Sequence, residues 1–231
     1  MRLALVDNDD SFTNNLVHLF RLCGADEVVV FRNERRSLAS LQSPYWHGIL
    51  LSAGPGDPRR PDDIGIMPDL IARADRPIFG VCLGFQVLAL AAGGRLVQMP
   101  TPIHGQVTPI HHEKRGGFAN LVSPFSATRY HSWGITDLPA TADLCQTRGA
   151  RTDISWRRAI RSVDDGGCSF ILSQSALTAG AISRQRFLAN VRRVRGRHVR
   201  LPATDLGQRF LRRGNASGVA MRKGTIGPPP P

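Results

Sequence analysis

Only four cysteines occur in 231 residues: Cys23, Cys82, Cys145 and Cys168. Their spacings fit no metal-binding pattern, and their density is too low for a disulfide-built scaffold. No apolar run reaches the roughly 18 residues that a membrane span needs, and the N-terminus has no signal-peptide pattern. A reducing cytoplasmic compartment is therefore expected, with no membrane partner. Aromatic residues are also scarce, at 6%. What the chain does have is apolar bulk: 42% hydrophobic against 21% charged residues. That suffices for a sizeable core in one large or two small domains, and it excludes a wholly disordered chain.

Acidic residues are missing from one end. Residues 1–143 carry 13 Lys+Arg and 14 Asp+Glu, whereas residues 144–231 carry 17 and 4, which accounts for the net charge of +12. Such an imbalance can mark a tail that binds nucleic acid. Here 16 of the 17 basic residues are arginines, set singly among Gly, Ala, Ser and Pro without interleaved aromatics. A nucleic-acid partner is not expected, and a basic binding module stands only as the rival class.

Hydrophobic periodicity organises the first part of the chain. Residues 2–6 (RLALV), 27–31 (EVVVF), 48–52 (GILLS) and 77–81 (PIFGV) read as short buried strands. Segments 11–22, 64–74 and 83–92 read as helices, the last closed by Gly93-Gly94. Strands alternating with helices predict an α/β fold with an open, mostly parallel, doubly wound sheet. From Gly94 to about Tyr130 the pattern becomes short strands and turns, as in a small antiparallel insertion. After Asp143 order weakens. Residues 187–194 could form a short helix, and the Gly/Pro-rich end from Gly214 reads as disordered.

Two segments carry chemistry. In Gly80-Val81-Cys82-Leu83-Gly84 an apolar strand runs into a nucleophile flanked by glycines, and an apolar helix follows at once. Such an elbow exposes the sulfur above the sheet, and the helix N-terminus lowers the thiol pKa and offers N–H groups to an oxyanion. An inert cysteine in a strand–helix unit is the competing reading of this pentapeptide. In Leu51-Ser52-Ala53-Gly54-Pro55-Gly56-Asp57-Pro58 the glycines admit a ligand close to the backbone, at the strand end where open parallel sheets bind ligands. Alone, it could equally be an ordinary loop.

Five segments together are far more specific: DNDDSFTNNL at 7–16, LSAGPGDP at 51–58, GVCLGFQ at 80–86, IHGQ at 103–106 and RYHS at 129–132. In order and spacing they resemble class I glutamine amidotransferases, most closely the glutaminase subunits of aminodeoxychorismate synthase and anthranilate synthase. The resemblance runs from residue 1 to about 143. It implies that Cys82 attacks the side-chain amide carbon of glutamine to give a glutamyl thioester and ammonia, and that water then releases glutamate. It implies an oxyanion hole from the N–H groups of Gly54 and Leu83, and glutamine binding by Gly54, Pro55, Gly56, Gln86, His131 and Ser132. It further implies no metal, no organic cofactor, and a chorismate-binding synthase subunit that accepts the ammonia. Between the routes, IHGQ and LVSPFSATRYHS lean towards aminodeoxychorismate, with anthranilate as the alternative. Three positions depart from the family pattern: Phe85 stands for His, Asp9 for Tyr and Ala53 for Pro.

The base is missing. Cysteine chemistry of this kind needs an imidazole oriented by a carboxylate, which the family carries in a late strand reading roughly WGVQFHPES. The seven histidines here are His18, His47, His104, His111, His112, His131 and His198, and none lies in such a segment. Residues 165–174 (DGGCSFILSQ) permit the codons GAT GGG GGG TGC AGT TTC ATC CTG AGT CAG. From the third base these read Trp-Gly-Val-Gln-Phe-His-Pro-Glu-Ser. The same frame turns 153–161 (DISWRRAIR) into Tyr-Leu-Met-Ala-Ala-Ser-His-Pro, again family-like. The expected organisation is therefore a core at 1–143, a frame-shifted stretch at 144–174, the remnant of a C-terminal helix at 175–194 and a basic tail at 195–231. Out-of-frame reading of a GC-rich gene would also account for the arginines of the 144–174 stretch. As it stands, the sequence implies a subunit that docks its synthase without working as a glutaminase.

Overall fold

Alternating side chains along four short strands build two cores, one on each face of a central sheet. A computed structural model describes residues 1–110, 122–137, 143–144 and 159–160. The chain runs β1 (Arg2–Asp7), α1 (Thr13–Leu22), β2 (Glu27–Arg32), a 3₁₀ turn (Arg35–Ser37), α2 (Leu38–Leu41), β3 (Gly48–Leu51), α3 (Pro61–Ile64), α4 (Met67–Ala72), β4 (Ile78–Gly80) and α5 (Leu83–Ala91). β5 (Arg95–Ile110) and β6 (Phe125–Thr136) follow, then two-residue strands β7 (Asp143–Leu144) and β8 (Ala159–Ile160). The strand order β2-β1-β3-β4 is parallel throughout. The α/β, mostly parallel sheet expected from the sequence is the sheet observed.

The period-2 alternation assigns each residue to a face. Leu3, Leu5, Leu50 and Phe79 point to one side, where Leu16 and Phe20 of α1 cover them. The Phe20 and Phe79 rings meet edge to face, 5.2 Å between centroids. Ala4, Val6, Ile49, Leu51 and Ile78 point to the other, against Leu41 of α2, Met67, Leu70 and Ile71 of α4, and Leu83, Val87 and Leu88 of α5. Helices thus cover both faces, as a doubly wound sheet requires.

Two elements differ from the sequence expectation. The single helix read over 64–74 is two, because Gly65 adopts φ 51° and Pro68 in the first turn of α4 has no N–H to continue a preceding helix. The small antiparallel insertion expected after Gly94 is observed, but as one long ribbon of β5 and β6 rather than several short strands. Pro100 and Pro102 fall within a register shift between Gln98 and Ile103, and a two-stranded ribbon leaves each strand an unpaired edge that tolerates proline. The ribbon docks on α5 through a third cluster of Phe85, Ala89 and Ile135. The expected disorder, the remnant helix and nearly all of the 144–174 stretch lie outside the described residues.

Candidate active site

The sheet order reverses direction between β1 and β3, so the crevice beyond their C-terminal ends is where ligands bind in such folds. Three loops converge there: Asn8–Phe12 after β1, Ser52–Pro58 after β3, and Val81–Cys82 after β4. Backbone and side-chain bonds fasten them together. The Val81 N–H donates to the Leu51 carbonyl (2.9 Å) and the Gly84 N–H to the Ser52 carbonyl (3.2 Å). Asn8 is buried: its N–H donates to Ser52 Oγ and its Nδ2 to the Ser52 carbonyl, both at 2.9 Å. Asn33 Nδ2 in turn donates to Asn8 Oδ1 at 2.8 Å. Asn8, Ser52 and Asn33 are the site's structural polar network, and local pattern gave no sign of it because the three are far apart in sequence.

Cys82 sits where β4 turns into α5, with φ 49° and ψ −107°. A non-glycine residue in this region is strained by about 1–3 kcal/mol and persists only where its surroundings enforce it. The flanking glycines show how. A Cβ on Gly80 would lie 2.6 Å from the Phe85 nitrogen, and one on Gly84 2.5 Å from the Leu51 carbonyl oxygen. Only bare Cα atoms let the helix start this close to the strands. The Gln86 N–H donates to the Cys82 carbonyl (2.9 Å), closing the first turn, and Gln86 itself is buried.

Contrary to the exposed sulfur with a lowered pKa expected from the elbow, Cys82 is partly buried and burial pushes its thiol up from the ordinary pKa; the hydrogen bond from the Leu83 N–H opposes that shift, and the negative charge of Asp10 adds to it. Asp10 is itself perturbed. Burial raises its carboxyl pKa, the Phe12 N–H lowers it and Asp7 raises it. Its Oδ2 is buried without a hydrogen-bond partner. The surroundings thus favour the protonated thiol over the thiolate.

The expected site residues divide into two groups. Gly54 lies against both Asn8 and Leu83: a Cβ there would be 2.6 Å from the Asn8 carbonyl oxygen and 3.1 Å from Leu83 Cδ2. The structure thus gathers Cys82, Leu83, Gly54 and Gln86, with Gly56 packed on Asp63 and Pro55 exposed beside them. His131 and Ser132 are on β6, where His131 pairs with Ile103. The ribbon reaches the β3 loop through a contact that the sequence did not reveal, Arg59 over the Trp133 ring at 4.5 Å. Two histidines are placed away from the thiol. His47 Nδ1 accepts the Arg2 N–H at the N-terminal end of β1, and His18 is exposed on α1.

Comparison with known proteins decides the family. The profile described as glutamine amidotransferase class-I matches residues 4–157. The chain belongs to this family. Anthranilate synthase component 2 of Thermus thermophilus is 39% identical over 193 residues, 81% of this chain and 92% of that protein. Aminodeoxychorismate synthase of Streptomyces griseus is 33% identical over all 231 residues, and the chain spans 29% of that synthase's length. Among solved structures, a putative GMP synthase subunit from Thermoplasma acidophilum shares the fold, with TM-score 0.63 and 20% identity over 84% of this chain and 96% of that one. Phe85, where the amidotransferase pattern has His, is buried and clusters with Ala89 of α5 and Ile135 of the ribbon. No helix among the described residues is long and apolar enough to cross a membrane.

Proposed function

We propose that this amidotransferase is the glutaminase component of a chorismate-using synthase, working in the reducing cytosol that keeps Cys82 a free thiol. The observation that carries the reading is the strained Cys82 elbow packed against the Gly54 loop. Sγ attacks the side-chain amide carbon of glutamine, and the carbonyl oxygen becomes an oxyanion that accepts hydrogen bonds from the Gly54 and Leu83 N–H groups. The C–N bond then breaks, with a proton delivered to the leaving nitrogen so that ammonia departs. Water hydrolyses the thioester to glutamate and restores the thiol. Pro55, Gly56, Gln86, His131 and Ser132 hold the substrate.

Ammonia is readily protonated in water, so a docked synthase subunit with a shielded path receives it. We assign the aminodeoxychorismate route, supported by alignment of the whole chain with the S. griseus synthase. The anthranilate route is the second reading, favoured by the match to 92% of the Thermus component 2.

The proton shuttle belongs to the His-Pro-Glu segment that codons permitted by residues 165–174 give in a shifted frame. The family profile stops at residue 157, ahead of that segment. The longer Thermus match of 193 residues fits a resemblance that resumes after about residue 175. The test is amination of chorismate by the synthase subunit together with a chain in which His-Pro-Glu is restored. Cys82→Ser in that chain is expected to abolish glutamine-dependent amination and leave ammonia-dependent amination intact. Equal loss of both would make Cys82 structural.

A further inference from the structure

Two parts of the proposed glutamine site belong to separate sheets: the Gly54–Gly56 loop follows β3, and His131–Ser132 lie on β6 of the ribbon. Among the described residues no ladder bond joins those sheets. Side chains align them: Phe85, Ala89 and Ile135 dock the ribbon on α5, and Arg59 meets it from the loop side.

Arg59 is fixed at its base. Its N–H and its Nε both donate to Asp57 Oδ1 at 2.9 Å, and its Nη2 donates to Asp57 Oδ2 at 2.5 Å. Asp57 is held in turn, its N–H donating to Asp63 Oδ2 at 2.9 Å. Asp63 also backs Gly56, where a Cβ would lie 2.7 Å from the Asp63 Cβ. The Asp57 carboxyl sits below its ordinary pKa and the Arg59 guanidinium above its own, chiefly through their mutual hydrogen bond, so both stay charged at neutral pH. The side chain of Arg59 is 51% exposed, so its ion pair alone contributes little to stability. A guanidinium held in plane by two bonds nevertheless presents a rigid cationic face. That face lies over the ring of Trp133, next in sequence to Ser132.

We propose that Arg59 is a positioning residue that clamps the Gly54–Gly56 loop to β6 and thereby sets the affinity of the site for glutamine. The inference rests on the glutamine-binding reading given above. Arg59 touches no reacting atom in this role. It keeps the loop and Ser132 at one spacing, so glutamine does not have to order them on binding.

Three measurements on the full chain test the clamp. Calorimetric titration with L-glutamine is expected to show about fivefold weaker binding for Arg59→Ala and Trp133→Leu, the size that losing one exposed cation–π contact implies. Trp133→Phe, which keeps a ring face, is expected to bind nearly as the native chain does. Amide hydrogen exchange is expected to show β6 near Trp133 loosened in Arg59→Ala and the loop at 54–59 loosened in Trp133→Leu. Peptide-mapped alkylation of Cys82 by iodoacetamide is expected to keep its native rate in all three, because the clamp does not act on the sulfur. Native binding and exchange in Arg59→Ala would overturn the clamp, and so would equal weakening by Trp133→Phe and Trp133→Leu. Native exchange coupling with no glutamine binding by the native chain would instead overturn the glutaminase reading, and the clamp's purpose with it.

Discussion

Gly84 rests directly on Leu51, so closely that a side-chain carbon on Gly84 would lie 2.6 Å from the Leu51 Cβ and closer still to its carbonyl oxygen. This contact joins the first turn of α5 to the end of β3 and fixes Cys82 beside the Gly54 loop. Gly84→Ala is therefore expected to lose about 1–3 kcal/mol, the usual cost of overpacking a tight core. Urea unfolding measures it, and a midpoint equal to the native one would show that the helix can step back freely.

The Asn8–Ser52 pair makes a second prediction. Ser52→Ala removes the acceptor of the buried Asn8 N–H and is expected to cost about 1–3 kcal/mol for the unsatisfied donor. Ser43→Ala removes a comparable but exposed bond to the Tyr45 N–H and is expected to cost at most about 0.5 kcal/mol. Thermal unfolding of the two variants side by side checks the contrast. Equal losses would mean that the Asn8 amide finds another partner.

The reactivity of Cys82 has a definite pH dependence. Burial and the Asp10 charge raise its thiol pKa, so the thiolate is scarce at neutral pH and accumulates only above the ordinary thiol range. Alkylation by iodoacetamide is expected to rise with pH through that raised value. Asp10→Asn removes one of the two raising causes, so its curve is expected to move to lower pH and its rate at neutral pH to increase. An unchanged or upward-shifted curve would mean that the Asp10 charge does not act on the sulfur.

The parts of this site that can be read from sequence are those set by neighbours in the chain. Glycines two residues either side of Cys82 announce the elbow, and continuous apolar runs give the four strands of the sheet. Asn8, Asn33 and Ser52 escaped notice because a polar residue at a strand end looks the same whether it meets solvent or another loop. The same holds for Arg59 and Trp133, whose encounter depends on where the ribbon docks. The length of β5 is not legible either, since sequence does not say whether a strand holding Pro100 and Pro102 is central or an edge. Gly65 ended one helix and Pro68 began another inside what periodicity read as a single stripe. The roles proposed for His131 and Ser132 come from the family motif rather than from any physical pattern around them.

We propose Cys82 as a glutaminase nucleophile whose proton shuttle is missing from the sequence as it stands. Glutamate release from glutamine tests it most directly, measured with the synthase subunit docked to each of three chains. The 231-residue chain is expected to release little or none. The chain with His-Pro-Glu restored in the 165–174 region is expected to turn over, and its Cys82→Ser variant to be inactive. Full activity from the unaltered chain would contradict the account by showing that another base serves Cys82. Activity surviving in the Cys82→Ser variant would contradict it at the nucleophile itself.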